Sequence, residues 1–357
     1  MSIRCFAAPE HSFDEVANFI RAAEISIEGC QFQISSPPIV EVFAEALRKK
    51  VRLSLLIGEY DIDSKKLHEQ RELIGWLSQL GAEIRLAPQK HPNHFHARWL
   101  CADQNRILLH TFALTERAMP NTYPIQERTG NRDFGVVICN DETVLKAVSV
   151  TLENLTRISP GIPMPIALPL KNYTPPPIPS AGRLFEPLLV DYAVKSDFIW
   201  GTGRQGNYFS SQFELLESSQ EDTLVYMQYF DFEEPESQRL VDILSQTSKS
   251  GHIVRFLTKR SSRGQELTSR FAELGIQHRE HFTSLHAKMI IRPKTVILQT
   301  KDWMGQTVKD WADCGVILNN ATVAHYFRTV FDYDWDSSAE SPLSTNLQVE
   351  PGRAKYG

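Results

Sequence analysis

A tripeptide that opens with histidine and ends with a cation occurs twice in this chain, as His96-Ala97-Arg98 and as His286-Ala287-Lys288. Each copy leads into an apolar run, and each falls at a similar depth in its half of the 357 residues. Other segments repeat in the same order around them. Near 12–23 and 209–217 the spacing predicts helices. Strands follow at about 23–32 and 223–230, and helices again at 38–50 and 236–249. The apolar runs at 51–58 and 253–257 suit buried strands, and helices over 64–80 and 264–274 end at Gly81 and Gly275, glycines suited to the turn after a helix. Short strands at 83–86 and 276–279 then lead to the two histidines. Alternation of strands with helices of this length predicts an α/β fold with mostly parallel strands. The repeated order predicts a duplicated module whose two copies pack with approximate two-fold symmetry and share one active site.

Between the copies, proline crowds residues 159–182, where no helix or central strand can run. The expected organisation is a first lobe at 1–158, a proline-rich connector at 159–182, a second lobe at 183–336 and a polar tail at 337–357. A charged fraction of 23% against 42% hydrophobic residues fits a soluble globular chain with a substantial core. The net charge of −5 gives no global pull on polyanions, so any phosphate must be held by a local basic cleft. Five cysteines, none in a C-x-x-C pair, argue against a disulfide framework or a zinc site and favour a reducing cytoplasm. No signal-peptide core opens the chain, and no uncharged stretch of about 18 residues could span a bilayer.

On a strand, alternation places His96 and Arg98 on one face, projecting together into a cleft. Downstream of each histidine comes a strand, then a threonine (Thr111, Thr300), then an aspartate two residues before a glycine (Asp133-Phe134-Gly135 and Asp313-Cys314-Gly315). These segments resemble the phospholipase D superfamily, whose signature is H-x-K-x4-D, then G-S-x-N, then an acidic residue near a glycine. The resemblance covers roughly 10–155 and 205–335.

It implies two tandem phospholipase D-like α/β/α lobes related by a pseudo-two-fold axis, with the active site at their interface. It implies that one of His96 and His286 attacks phosphorus to give a phosphohistidine. The other protonates the leaving oxygen and later activates water or an alcohol. Asp133 and Asp313 stand where the family's acidic residue accepts a hydrogen bond from a histidine ring. Arg98 and Lys288 match the phosphate-holding lysines, and Thr111 and Thr300 stand where the family has serine. Asp103 and Asp302 are expected to support the site from behind. The chemistry is consistent in itself: a histidine near neutrality can serve as nucleophile or acid, and a carboxylate on its far nitrogen fixes the tautomer. Neither a cofactor nor a metal is expected. His91 and His94 precede His96, but no carboxylate or cysteine is spaced to complete a tetrahedral set, so both are read as flanking the cleft. Trp99 and Trp303 are read as packing, not as stacking platforms.

This chain departs from the family pattern in several places. Arg98 replaces a lysine with a planar fork. Pro293 stands where the second motif should have its aspartate, and Ala113 and Asp302 break the G-S-x-N turns. The expectation is therefore a metal-independent phosphodiesterase or phosphotransferase acting on a nucleic-acid or nucleotide phosphodiester, since no membrane anchor or long apolar loop suits a lipid. Phospholipid hydrolysis, phosphatidyl transfer at a lipid headgroup, and a catalytically impaired phosphate-binding module are the alternatives.

Overall fold

The computed structural model describes residues 1–58, 64–87, 94–120, 130–158, 160–164, 184–192 and 194–340. The first half runs β1 (Ser2–Ala8), α1 (Ser12–Arg21), β2 (Ser26–Gln31), α2 (Pro37–Arg48), β3 (Arg52–Ile57), α3 (Ser64–Gln79), β4 (Glu83–Leu86), β5 (His94–Phe95), β6 (Trp99–Ala102), β7 (Arg106–His110), β8 (Asn131–Cys139) and α4 (Glu142–Ile158). Two short strands follow, β9 (Ile162–Pro163) and β10 (Leu188–Val190). The second half continues with β11 (Lys195–Thr202), β12 (Gln205–Gly206), α5 (Tyr208–Ser218), β13 (Thr223–Met227), α6 (Pro235–Lys249), β14 (Val254–Thr258), α7 (Gly264–Glu273), β15 (Gln277–Glu280), β16 (Ser284–Leu285), β17 (Lys288–Ile291), β18 (Thr295–Gln299), α8 (Gly305–Asp310), β19 (Trp311–Asn319) and α9 (Ala321–Glu340).

Local chemistry accounts for the element ends. The buried stripe of α1, Phe13, Val16, Ala17 and Ile20, has helical spacing. α2 opens on Pro37-Pro38, whose missing amide hydrogens cost nothing in a first turn. Gly81 and Gly275 take positive φ, +100° and +77°, just past α3 and α7, as their type allows.

Each half builds one mixed sheet. In the first, β2, β3 and β4 are parallel, while β6, β7, β8 and β1 are antiparallel to their neighbours. β13, β14 and β15 are the parallel part of the second. The expectation of mostly parallel strands is thus corrected. The turns at 103–105 and 292–294 are too short for a crossover and permit only antiparallel neighbours. Both faces of these strands are buried, by helices outside and by the opposite sheet with α4 and α9 inside, so their apolar runs read in sequence like parallel ones.

Three apolar layers result. One lies between the first sheet and α1, α2 and α3, another between the second sheet and α5, α6 and α7. The third joins the two sheets, filled by Phe134, Val136, Tyr226 and Val316 from the strands and by Phe327 and Phe331 from α9. A buried polar cluster crosses the same boundary. The Arg132 guanidinium donates to Ala8 O (2.8 Å), Glu10 (2.7 Å) and Asp334 of α9 (2.9 Å), and Tyr226 Oη donates to Asp334 (2.7 Å).

The lobe boundaries are less clean than the sequence implied. β10 adds to β1 at the edge of the first sheet, so the second lobe's sheet starts only at β11. Within the expected connector, β9 pairs with the edge strand β4, a place that tolerates Pro163. The rest of the connector, apart from Pro160 to Met164, lies outside the described residues. α9 extends to Glu340, past the expected tail start at 337. Ser338 ties it down by donating to Asp334 O (2.7 Å) and accepting from Phe282 N (3.2 Å). Residues 341–357 are outside the described part. Among the described residues, no helix is long and apolar enough to cross a membrane.

Candidate active site

The two lobes exchange short strands. β5 pairs with β19 of the second sheet, and β16 pairs with β8 of the first. The backbone just after each exchanged strand docks on the same partner. His96 N and Ala97 N both donate to Ala312 O (2.8 and 2.9 Å), and His286 N and Ala287 N both donate to Arg132 O (3.1 and 3.0 Å). Each histidine therefore meets the aspartate of the opposite lobe. His96 Nδ1 lies 2.9 Å from Asp313 Oδ1, and His286 Nδ1 lies 3.0 Å from Asp133 Oδ1. In a neutral ring this contact keeps the proton on Nδ1 and makes Nε2 the acceptor, which faces Arg98 in His96 and Lys288 in His286. Gly135 and Gly315, two residues beyond the aspartates, permit the tight packing behind them. A Cβ at Gly135 would enter the Phe6 ring, and one at Gly315 would come within 2.6 Å of Leu298 O.

Arg98 and Lys288, both fully buried, stand beside the imidazoles. The Arg98 fork donates to Thr111 O (2.7 Å), makes a short contact with His96 Nε2, and lies 5.5 Å over the Phe32 ring. Its Nε has no hydrogen-bond partner among the described residues. Lys288 Nζ donates to Gln228 Oε1 (2.7 Å) and to His286 O (2.8 Å), 3.4 Å from His286 Nε2. The half-sites feel each other electrostatically: Lys288 acts on His96, and Arg98 acts on His286. Burial, reinforced by the adjacent cations, pulls His286 down to about 4 and His96 well below the ordinary histidine value. Burial also brings Lys288 down to about 8. Asp313 is held far below the carboxylate range, because Lys301, His96 and Thr300 together outweigh its burial.

Two expectations change. Thr111 and Thr300, expected at the phosphate, commit their hydroxyl protons to the aspartates. Each donates to an aspartate, Thr111 Oγ1 to Asp133 (2.6 Å) and Thr300 Oγ1 to Asp313 (2.7 Å), so they orient the carboxylates. Asp103 does not stand behind the site. It sits at the far end of β6, seven residues and roughly 20 Å of extended chain from His96. There it accepts from the amides of Glu24, Ile25 and Ser26 and pairs with Arg106. The equivalent Pro293 turn is fastened instead by Arg292, which donates to the carbonyls of Leu215 and Ser219. The missing second aspartate is therefore a matter of turn anchoring, remote from the imidazoles. Asp302 lies 3.5 Å from Lys288 and accepts from Tyr229 N (2.9 Å). Trp99 and Trp303 are fully buried in packing. His91 falls outside the described residues.

The sequence did not single out the residues that make the half-sites unequal. Lys301, directly after Thr300, is buried 3.2 Å from Asp313 Oδ2, where the first lobe has Phe112 after Thr111. Phe32 and Trp311 flank the His96 ring, with centroids at 5.3 and 5.0 Å. The signal was present in the alignment of the two copies, which places Lys301 opposite an apolar residue.

No curated protein matches the chain. A family model described as "Cardiolipin synthase, PLD-like domain" matches residues 213–335. Among solved structures, phosphatidylserine synthase of Haemophilus influenzae Rd KW20 is 10% identical with a TM-score of 0.67, over 95% of this chain and 86% of that one. Polyphosphate kinase from Porphyromonas gingivalis is also 10% identical, with a TM-score of 0.58, over 93% of this chain and half of its own length. Residues 213–335 thus resemble a phospholipase D-like domain, and the two-lobed fold of the chain is that of phosphatidylserine synthase.

Proposed function

We propose that this chain, phospholipase D-like in both sequence motif and fold, is a phosphodiesterase or phosphotransferase that works through a covalent phosphohistidine on a nucleic-acid or nucleotide phosphodiester. One observation carries the reading: two imidazoles are each held by a buried carboxylate from the opposite lobe, and each feels the cation of the other half-site, Lys288 for His96 and Arg98 for His286. A nucleophile needs a free lone pair, and an acid needs a second imidazole on the other side of phosphorus. The cations compensate charge on the non-bridging oxygens, where a well-placed donor is worth roughly 3–4 kcal/mol. These groups supply every step of the double displacement without a metal. Asp133, Asp313, Thr111, Thr300 and Lys301 act as positioning residues. Five unpaired cysteines fit a cytoplasmic setting.

The printed description of the matching family model favours a second reading, phosphatidyl transfer. The test for both begins with bis-p-nitrophenyl phosphate in excess chelator. Release of p-nitrophenol that vanishes in His96→Ala and in His286→Ala supports the enzyme. Turnover of oligonucleotides but not of phospholipid vesicles selects the first reading. Tight phosphate binding without any turnover overturns both and leaves a binding module.

A further inference from the structure

We infer that the ends of β13 and β14 form a second subsite, in which Lys259 and Tyr229 hold the nucleotide next to the scissile phosphate of a single-stranded nucleic acid. The inference rests on the function proposed above and adds a substrate contact outside the histidine cleft.

Strand register sets the spacing. Lys288 pairs with Met227, and Met227 pairs with Thr258, so the three lie in one row across β17, β13 and β14. Strands lie about 4.8 Å apart, which puts the row's ends roughly 10 Å from each other. Lys259 is the next residue after Thr258. Hydrogen bonds connect it to the cleft without a break. Lys288 Nζ donates to the Gln228 side chain (2.7 Å), and Lys259 N donates to Gln228 O (3.4 Å). Lys259 Nζ donates to Tyr229 Oη (3.1 Å), and Tyr229 N donates to the Asp302 carboxylate that faces Lys288.

The chemistry there is that of a strand binder. Tyr229 is 40% exposed, in a chain that buries most of its large side chains. Lys259 Nζ also sits 5.2 Å over its ring. An aromatic face beside a cation offers a stacking surface for a base and a partner for the phosphate attached to it. The loop continues as Arg260-Ser261-Ser262-Arg263. Arg260 is exposed, Arg263 is held by Glu266, and Glu280 fixes the loop by accepting from Ser261 N. This is a local basic patch on a chain whose net charge is −5. It stands at the carboxyl ends of parallel strands, where α/β sheets take their ligands.

The experiment compares oligothymidylate with bis-p-nitrophenyl phosphate, which has no neighbouring nucleotide to place. Lys259→Gln is expected to lower the ratio of kcat/KM on the oligonucleotide to kcat/KM on the aryl diester about tenfold, and to reduce the salt slope of oligonucleotide binding by about 0.7. Tyr229→Leu should lower the same ratio with the salt slope kept, since stacking carries no counterion. An unmoved ratio in both variants overturns the subsite. So does a wild type that turns over the aryl diester but neither cleaves nor binds the oligonucleotide. If the wild type turns over neither substrate, the phosphohistidine reading fails and the subsite falls with it.

Discussion

His96 and Asp313 stand 2.9 Å apart although 217 positions separate them along the chain, and His286 with Asp133 repeats the pairing in the opposite direction. Neither lobe orients its own imidazole. A carboxylate in this position can fix the tautomer and stabilise the ring when it gains charge, as a triad aspartate does.

Removing that charge while keeping the shape isolates the effect. Asp133→Asn and Asp313→Asn are each expected to lower kcat on bis-p-nitrophenyl phosphate by about 10³–10⁴, the scale known for a triad carboxamide. Unfolding monitored by circular dichroism should remain cooperative in both. Full activity in either variant would remove the carboxylate from the mechanism.

The two threonines give a contrasting expectation. Because their hydroxyls donate to the aspartates, Thr111→Val and Thr300→Val should lower kcat with little change in KM, and Thr→Ser should restore it. A rise in KM alone would mean that the hydroxyls bind substrate after all.

pH dependence follows from two lowered values. His286, brought to about 4, is neutral and has its lone pair above that pH, and loses it by protonation below. Lys288, brought to about 8, keeps its cation below that pH and loses it above. For an aryl diester, whose leaving group needs no proton, kcat/KM should therefore rise through about pH 4 and fall through about pH 8. Lys288→Arg should abolish the alkaline limb. A limb that stays in place in this variant belongs to another group.

The polar cluster between the lobes bears on stability. Arg132→Met leaves the Asp334 and Glu10 carboxylates buried without the guanidinium that compensates them, and is expected to cost about 3–5 kcal/mol. Denaturant unfolding measures this directly. A loss under about 1 kcal/mol would show that the cluster is solvated and unimportant to the assembly.

Much of this architecture was legible in the sequence. Helices α1, α2, α6 and α7 carry apolar stripes at helical spacing, and glycines 81 and 275 mark where α3 and α7 stop, so their positions follow from local rules. The histidines, cations and aspartates were legible because their order repeats. Pairing across the lobes was not, since β5 and β16 are two residues long and two residues show no periodicity. Strand direction was misread because burial on both faces erases the alternation that distinguishes antiparallel strands. Asp103 was placed by the family signature, although seven residues of extended chain already carry it roughly 20 Å from His96. Lys301 carries no local signal, as its burial is created by Tyr208, Phe209 and Asp313 from other elements.

The exchanged strands β5 and β16 have a consequence for how such a chain can change over time. Damage to either copy withdraws the orienting carboxylate from the other, so neither half-site keeps its geometry alone. Duplication here supplies no spare: the copies answer to selection as one indivisible unit, and neither is at liberty to decay while its twin carries on.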